Sequence, residues 1–174
     1  KMSKTIGNVI DPFEVIKKYG TDALRYYLLR EIPSGEDGDF TYEKFEERYN
    51  ADLAKGLGNL VARILTLAQK NKIQAIKNKV FDTNINKIEK QMGKLIKEFK
   101  FNDALSVLWR LIASGDKYID EKKPWALKPE SKEFKEIIGS LLFLISNIGT
   151  LLYPFMPETS EKISGQLKNR KISI

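Results

Sequence analysis

The 174-residue sequence contains neither cysteine nor histidine. The chain therefore cannot form a disulfide or a Cys/His zinc site, and it lacks the histidine base of a Ser-His relay. Side-chain catalysis would have to use carboxylates, lysines or tyrosines. The longest apolar run, residues 141–145, is far too short to span a bilayer. No basic leader precedes a long apolar stretch at the N-terminus. We expect no metal site and no membrane partner.

Basic side chains outnumber acidic ones in a chain whose length suits one domain, with or without an appendage. The 30 Lys and Arg residues against 23 Asp and Glu residues give a formal net charge of +7. Such a balance favours polyanionic partners such as RNA or DNA. A lysine-rich protein from a thermophilic or A/T-rich source would show it too, so charge alone leaves both interpretations open. The lack of cysteine fits a reducing compartment, and we expect a cytoplasmic location.

Helical spacing of apolar residues runs through nearly the whole chain, and no alternation typical of a strand occurs. Asp11 and Pro12 predict a helix over 12–19, and Thr21 is the predicted N-cap of a helix that begins at Asp22. Residues 33–40 form the clearest break. Further helices are predicted at 41–72, with a bend near Tyr49, and then at 84–98, 102–121, 131–152 and 156–166. We predict an all-α fold, an antiparallel helix bundle over 41–174 that follows a short helical connector over 1–40.

The segment 51–70 predicts a helix with two different faces. One face is an apolar stripe typical of a bundle core, formed by Leu53, Leu57, Leu60, Val61, Ile64 and Ala68. The opposite face carries Asn59 and Arg63, which are four residues apart and therefore neighbours on a helix. A solvated polar face is one interpretation. The other is a hydrogen-bonding pair for the edge of an unpaired base, because an amide and a guanidinium suit that task.

The stretch KYIDEKKPWALKP, residues 117–129, is the second informative segment. Trp125 follows Pro124, which fixes the backbone. The indole either covers one end of the bundle core or serves as a stacking platform for a base, a contact worth about 1–3 kcal/mol. Four lysines of this segment would attract phosphate in the second case. Trp109 lies in an apolar helical pattern, and we expect it in the core.

KMSKT at residues 1–5 is similar to the KMSKS signature of class I aminoacyl-tRNA synthetases. GNVIDPFEVIKKYGTDALRYYLLREIP follows it, and much of this stretch is shared more widely within the class. Further along come DGDFTYEKFEERYNADLAKGLGNLVAR, KYIDEKKPWAL and LLYPFMPETSEKI. Together these motifs resemble the methionyl-tRNA synthetase family, and DGDF with RYNADLAKGLGN and then KPW separate the methionine type from its relatives. The likeness covers most of the chain and is weakest over 71–100. The equivalent region of a leucine, isoleucine, valine or cysteine enzyme remains the alternative.

The resemblance implies a role for the opening loop in the complete enzyme, which attaches methionine to tRNA using ATP with Mg²⁺. Lys1 and Lys4 would stabilise the pyrophosphate leaving group, as a mobile cationic loop can. The expected ATP-binding residues are Lys1, Met2, Ser3, Lys4 and Thr5. Thr5 replaces the usual final Ser and keeps the hydroxyl group.

The resemblance also implies that the helix bundle reads the CAU anticodon of methionine tRNAs. The family's Asn and Arg, four residues apart on one helix, match Asn59 and Arg63. Its Pro-Trp pair matches Pro124 and Trp125, with the Trp stacked on the first anticodon base. Asp116 departs from the Asn expected in this family. An acid would repel phosphate, so we do not assign Asp116 to RNA.

The HIGH signature of the class cannot occur in a chain without histidine. We expect the catalytic nucleotide-binding domain to lie in a preceding segment or in a separate subunit, which would be the protein partner alongside tRNA. The isolated chain is then a cut fragment, inactive and without a bound cofactor. Alternatively, it is the small subunit of a split synthetase that supplies the KMSKS loop in trans. A helical protein-interaction module without an RNA role is the third hypothesis.

Overall fold

The structure, a computed structural model, describes residues 10–168. These residues form α-helices and no β-strand, which confirms the predicted all-α fold. In chain order the helices are α1 (Pro12–Tyr19), α2 (Thr21–Glu31), α3 (Tyr42–Arg48), a π-helix (Tyr49–Gly58), α4 (Asn59–Lys70), α5 (Lys79–Lys97), α6 (Phe101–Lys122), a 3₁₀-helix (Pro124–Ala126), α7 (Lys132–Leu152) and α8 (Pro157–Lys168).

Local capping determines where the first helices and α5 begin. The carboxylate of Asp11 accepts the N–H of Phe13 at 2.8 Å, as predicted for an N-cap. The prediction that Thr21 caps α2 is wrong. The N-cap is Gly20, whose φ of 89° favours glycine, and Thr21 is already the first helical residue. Helix α5 begins before the predicted residue 84, because the side chain of Asn78 accepts two backbone N–H groups of its first turn.

The long helical stretch between the connector and α4 changes its winding at Tyr49, where the sequence predicted a bend. From Tyr49 to Gly58 the chain is a π-helix, in which each N–H bonds five residues back rather than four. A Cβ atom on Gly58 would lie only 2.9 Å from the carbonyl oxygen of Leu53. Glycine therefore fits this widened turn, which sets the rotation of α4 about its axis and the direction in which Asn59 points.

The main core lies among α4, α5, α6, α7 and α8. Five residues of the predicted apolar stripe are buried there, namely Leu57, Leu60, Val61, Ile64 and Ala68. Leu53, the sixth, is only partly buried and packs at the edge of this core and of a second, smaller cluster. Helix α7 is long and apolar enough to cross a membrane by composition, but 61% of its most apolar window is buried inside the bundle. Its apolar character is therefore explained by its central place in the core.

A smaller apolar cluster joins the connector to the start of the bundle. It consists of Val15, Ala23, Leu24, Tyr27 and Phe45, which come from α1, α2 and α3. The cluster therefore includes residues on both sides of the boundary predicted between residues 40 and 41. The division into a connector over 1–40 and a bundle over 41–174 stays a prediction.

Helix α2 also holds the turn between α7 and α8. The buried carboxylate of Asp22 accepts the N–H of Thr159 at 2.6 Å, in the first turn of α8. One turn along α2, the guanidinium of Arg25 donates to the carbonyl oxygens of Phe155 and Pro154 at 2.9 and 3.0 Å. Asp22 thus provides an acceptor for a backbone N–H at the start of α8, and Arg25 provides donors for two backbone carbonyl groups of the turn. The connector is thus fastened to the far end of the chain.

Candidate nucleic-acid interface

Asn59 and Arg63 lie on the face of α4 that points away from the core. Asn59 is the first residue after the π-helix and its side chain is exposed. Arg63 is one turn further, and 30% of its side chain is exposed. The buried Leu60 and Ile64 follow them directly in sequence and face the core. The amphipathic pattern of α4 therefore positions both polar side chains toward solvent, as the sequence predicts.

The turn after α6 presents Trp125 to solvent. Lys123 ends the helix in the left-handed conformation, with φ of 45°, and its N–H bonds to the carbonyl of Ile119 at 3.0 Å. The next residue, Pro124, is buried and anchors the turn against the bundle. The indole of Trp125 is 54% exposed. About half of the residue is therefore open to solvent, as a stacking platform requires, and the stacking role of Trp125 stays a prediction.

Trp109 occupies a different environment, on α6 beside α2. Its ring stacks on the buried Tyr26 with the centroids 4.5 Å apart. Its Nε1 atom is buried and has no hydrogen-bond partner among residues 10–168. The ring is partly buried and packs against the main core, as the sequence predicts.

Arg63 connects the two predicted halves of the site. Its Nη2 atom lies 2.8 Å from Oδ1 of Asp120 on α6, and its guanidinium carbon lies 5.4 Å from the centroid of the Trp125 ring. An exposed ion pair contributes about 0–1 kcal/mol, and an exposed cation–π contact about 0.5–1 kcal/mol. These contacts hold the guanidinium against the indole. The free chain therefore already places the α4 face and the Trp125 turn together.

Two acids on α6 border this arginine, and neither was assigned to the site from sequence. Asp116 and Asp120 are one helical turn apart. Burial raises the pKa of the Asp116 carboxyl, the positive charge of Arg63 opposes that rise, and the negative charge of Asp120 adds to it. The spacing of the two acids mirrors the spacing of Asn59 and Arg63. Sequence alone does not give the register between α4 and α6, so this signal could not be used.

Lysines surround the Trp125 turn. Lys117, Lys122, Lys123 and Lys128 are all exposed. Lys117 lies 3.8 Å from Glu121, and the ammonium group of Lys122 is 6.0 Å from the ring centroid of Tyr118. The site thus combines an open aromatic ring, a guanidinium and an amide, with cations around its edge. The predicted ATP-binding residues Lys1, Met2, Ser3, Lys4 and Thr5 lie outside the described residues.

This combination of groups suits an unpaired nucleotide base. The Arg63 guanidinium lies over the Trp125 ring, and with the residue 54% exposed the indole still has open surface for stacking. The guanidinium has five N–H donors, of which Asp120 takes one. The amide of Asn59 supplies both a donor and an acceptor. A base stacked on the indole could therefore be recognised along its edge by these two side chains.

Two protein families match the sequence in succession. Residues 1–65 match the family described as tRNA synthetases class I (M). Residues 78–174 match the anticodon-binding domain of tRNA ligase. The second match includes the α6 acids and the Trp125 turn, and the first includes Asn59 and Arg63.

Curated relatives agree with both matches. The chain is 41% identical to the methionine–tRNA ligase of Caldanaerobacter subterraneus subsp. tengcongensis and 44% identical to that of Clostridium acetobutylicum, in each case over 96% of its own length. The chain belongs to the methionyl-tRNA synthetase family. It spans 28% of the length of each of these relatives. The family predicted from the sequence motifs is thereby confirmed.

A solved structure of the same family has the same fold. Mycobacterium tuberculosis methionyl-tRNA synthetase in complex with methionyl-adenylate superposes with a TM-score of 0.86 and 29% sequence identity. The match covers 94% of this chain and 35% of that one. The methionyl-tRNA synthetase fold over this region therefore includes both the connector helices and the bundle. The individual site residues are not tested by these similarities and remain predictions.

Proposed function

We propose that the chain is the tRNA-binding portion of a methionine–tRNA ligase and that it recognises the CAU anticodon of methionine tRNAs. The observation that carries the proposal is the position of Arg63. Its guanidinium contacts both Asp120, which is 57 residues away in sequence, and the exposed Trp125 ring. A solvated polar face with no further role would not require a polar pair and an exposed indole to meet at one place.

The four anticodon-binding residues divide three tasks among them. Trp125 stacks on the first anticodon base, and the buried Pro124 holds the turn that presents the ring. Asn59 and Arg63 form hydrogen bonds with the edges of unpaired bases, which supply sequence choice that phosphate contacts cannot. Because Arg63 is already ordered by two contacts, less conformational entropy is lost when RNA binds.

The remaining parts of the reaction belong to the complete enzyme. There, ATP with Mg²⁺ supplies the activation of methionine, and Lys1 and Lys4 stabilise the leaving pyrophosphate. Met2, Ser3 and Thr5 complete that loop. The partners of the chain are a methionine tRNA and the catalytic domain or subunit of the same enzyme, and the location is the cytoplasm. The chain alone is expected to be inactive in methionyl-adenylate formation.

The test is the binding of the chain to an anticodon stem-loop that carries CAU, compared with one in which the first anticodon base is changed. Both RNAs are measured at a low and at a near-physiological salt concentration, because phosphate contacts alone give salt-sensitive binding without sequence choice. We expect a preference for CAU at both salt concentrations. Equal and salt-labile binding of both RNAs would contradict anticodon recognition.

Arg63→Ala and Arg110→Ala form a matched pair for this test. Arg110 is an exposed arginine on α6, and both substitutions remove one positive charge. Loss of hydrogen bonds from a charged group costs about 1.5–3 kcal/mol, or roughly 10- to 150-fold in Kd. We expect Arg63→Ala to lose this affinity and the CAU preference, and Arg110→Ala to keep the preference. Equal effects of the two substitutions would show that Arg63 acts only through its charge.

A further inference from the structure

The outer face of α5 carries a row of lysines that the anticodon site does not use. Its members, called here the lysine stripe, are Lys79, Lys87, Lys90, Lys94 and Lys97, and all are exposed. At about 100° per residue they fall within an arc of about 80°, and the arc lies opposite the core-facing side of the helix. That core-facing side is marked by the buried Phe81, Ile85 and Met92.

Acidic side chains do not neutralise the stripe. Asp82 is engaged by Lys77 at 3.0 Å, and Glu89 points to a different side of the helix. Glu98, just past the helix end, is 2.8 Å from Lys100 and 4.0 Å from Lys94. Lys94 is therefore the one member of the stripe with an ion pair among the described residues, and that pair is long.

The arrangement works against the stability of the isolated helix. Lys87, Lys90, Lys94 and Lys97 follow one another at spacings of three and four residues, so each ammonium group faces another. Like charges at such spacings destabilise a helix by about 0.2–0.5 kcal/mol per pair. A solvated helix face usually mixes both signs of charge, which avoids this cost. A polyanion bound along the stripe would remove the repulsion.

The stripe begins at the end of the bundle that holds the Trp125 turn. Helices α5 and α6 run antiparallel, and Phe81 packs edge-on against Tyr118 with the ring centroids 5.0 Å apart. The ammonium group of Lys122 lies over the same Tyr118 ring. The start of α5, which carries Lys79, therefore lies beside the C-terminal part of α6, which leads into the Trp125 turn. From Lys79 the stripe continues for 18 residues, or about 27 Å along the helix.

We propose that the lysine stripe binds the phosphate backbone of the tRNA whose anticodon is held at Trp125. This inference rests on the proposed function, since the anticodon site determines which RNA lies beside α5. Lysine is a flexible point charge that suits phosphate oxygens, whereas readout of bases relies on bidentate or stacking side chains. The stripe therefore supplies affinity that does not depend on sequence, while the Trp125 site supplies the choice of anticodon.

The experiment measures Kd against salt concentration for a complete methionine tRNA with CAU and for the same tRNA with a changed first anticodon base. The stripe variant carries Lys87→Gln, Lys90→Gln and Lys94→Gln. Glutamine has nearly the helix propensity of lysine, so α5 should remain intact, which circular dichroism checks. The control variant carries Lys44→Gln, Lys162→Gln and Lys168→Gln. These three lysines are exposed on α3 and α8, and their replacement removes the same total charge as the stripe variant. A third variant replaces the three stripe lysines by arginine.

Each phosphate contact contributes about 0.7–0.9 to the slope of log K against log salt. We expect the stripe variant to lose about 2–3 from the magnitude of that slope, the control variant to lose clearly less, and the arginine variant to keep it. The ratio of the affinities for the two tRNAs should not change. If the stripe and control variants had the same slope, the inference would be wrong.

Two other outcomes separate the stripe from the proposed function. If the wild-type chain bound both tRNAs equally but the stripe variant still lost slope, anticodon recognition would fail and the stripe would remain an RNA-binding surface. If the stripe variant lost binding to vesicles of anionic phospholipid while its tRNA binding matched the control, the stripe would be a membrane-binding surface. That second result would overturn the inference.

Discussion

Truncation of Trp125 should weaken RNA binding far more than it weakens the fold. The indole is 54% exposed, so Trp125→Ala removes much less buried surface than the truncation of a core tryptophan, which costs about 3–5 kcal/mol. The lost cation–π contact with Arg63 adds about 0.5–1 kcal/mol. We expect the free energy of unfolding to fall by about 1–2 kcal/mol in total. Loss of base stacking should reduce affinity by about 1–3 kcal/mol, or roughly 5- to 150-fold.

The matched substitution is Trp109→Ala on the same chain. Trp109 stacks on Tyr26 and packs against the main core, so its truncation should cost about 3 kcal/mol of stability and leave the affinity of the folded chain unchanged. Trp109→Phe keeps most of the ring and serves where the alanine variant is too unstable. Urea denaturation gives the stabilities, and anisotropy of a labelled CAU stem-loop gives the affinities. A Trp125→Ala variant as unstable as Trp109→Ala, or with unchanged affinity, would refute this reasoning.

Two further predictions concern the acids Asp116 and Asp22. Burial raises the pKa of the Asp116 carboxyl above its ordinary value of 3.8. At pH values between this ordinary pKa and the higher pKa of the folded state, the folded state binds more protons than the unfolded state. The free energy of unfolding therefore falls as the pH rises through this range. Asp116→Asn should remove this fall from a pH series of urea denaturations, and an unchanged series would contradict the assignment. Asp22→Ala removes the acceptor for the N–H of Thr159 and should lower the free energy of unfolding by about 1–2 kcal/mol. Urea denaturation at neutral pH measures this change, and an unchanged free energy of unfolding in Asp22→Ala would contradict the stabilising role of the Asp22 carboxylate.

Features that depend on neighbouring residues could be predicted from the sequence. The Asp11-Pro12 pair predicted the start of α1, and the spacing of apolar residues predicted the α4 core face, because an amphipathic helix has to bury that side. The spacing also predicted that Asn59 and Arg63 would point to solvent. Thr21 was wrongly predicted as a cap, since Gly20 can adopt a backbone conformation that lets the helix begin one residue earlier.

Features that depend on distant residues could not be predicted in this way. The ion pair between Arg63 and Asp120 requires the register of α4 against α6, which is determined by packing across the whole core. The π-helix was also missed, because its signal is the absence of a Cβ at Gly58 rather than any periodicity. The motif resemblance matched Asn59, Arg63 and Trp125 to the family and included Asp120 within KYIDEKKPWAL, but it gave no indication that the Asp120 carboxylate contacts Arg63.

The charges beside the Trp125 ring differ from those along α5, and the difference has a physical consequence. Beside the ring, Asp116 and Asp120 flank the Arg63 guanidinium, so a phosphate group that approaches the guanidinium meets two acids, although lysines lie at the edge of the turn. A neutral base edge meets no such repulsion and gains stacking and hydrogen bonds. Along α5, the lysine stripe extends over about 27 Å, and of the nearby acids only Glu98, at the end, pairs with a stripe lysine among the described residues. RNA should therefore place its bases at the ring and its phosphates on the lysines. Because phosphate binding and base recognition occur at separate places, a basic protein can bind one anticodon tightly while other RNAs gain only the phosphate contacts.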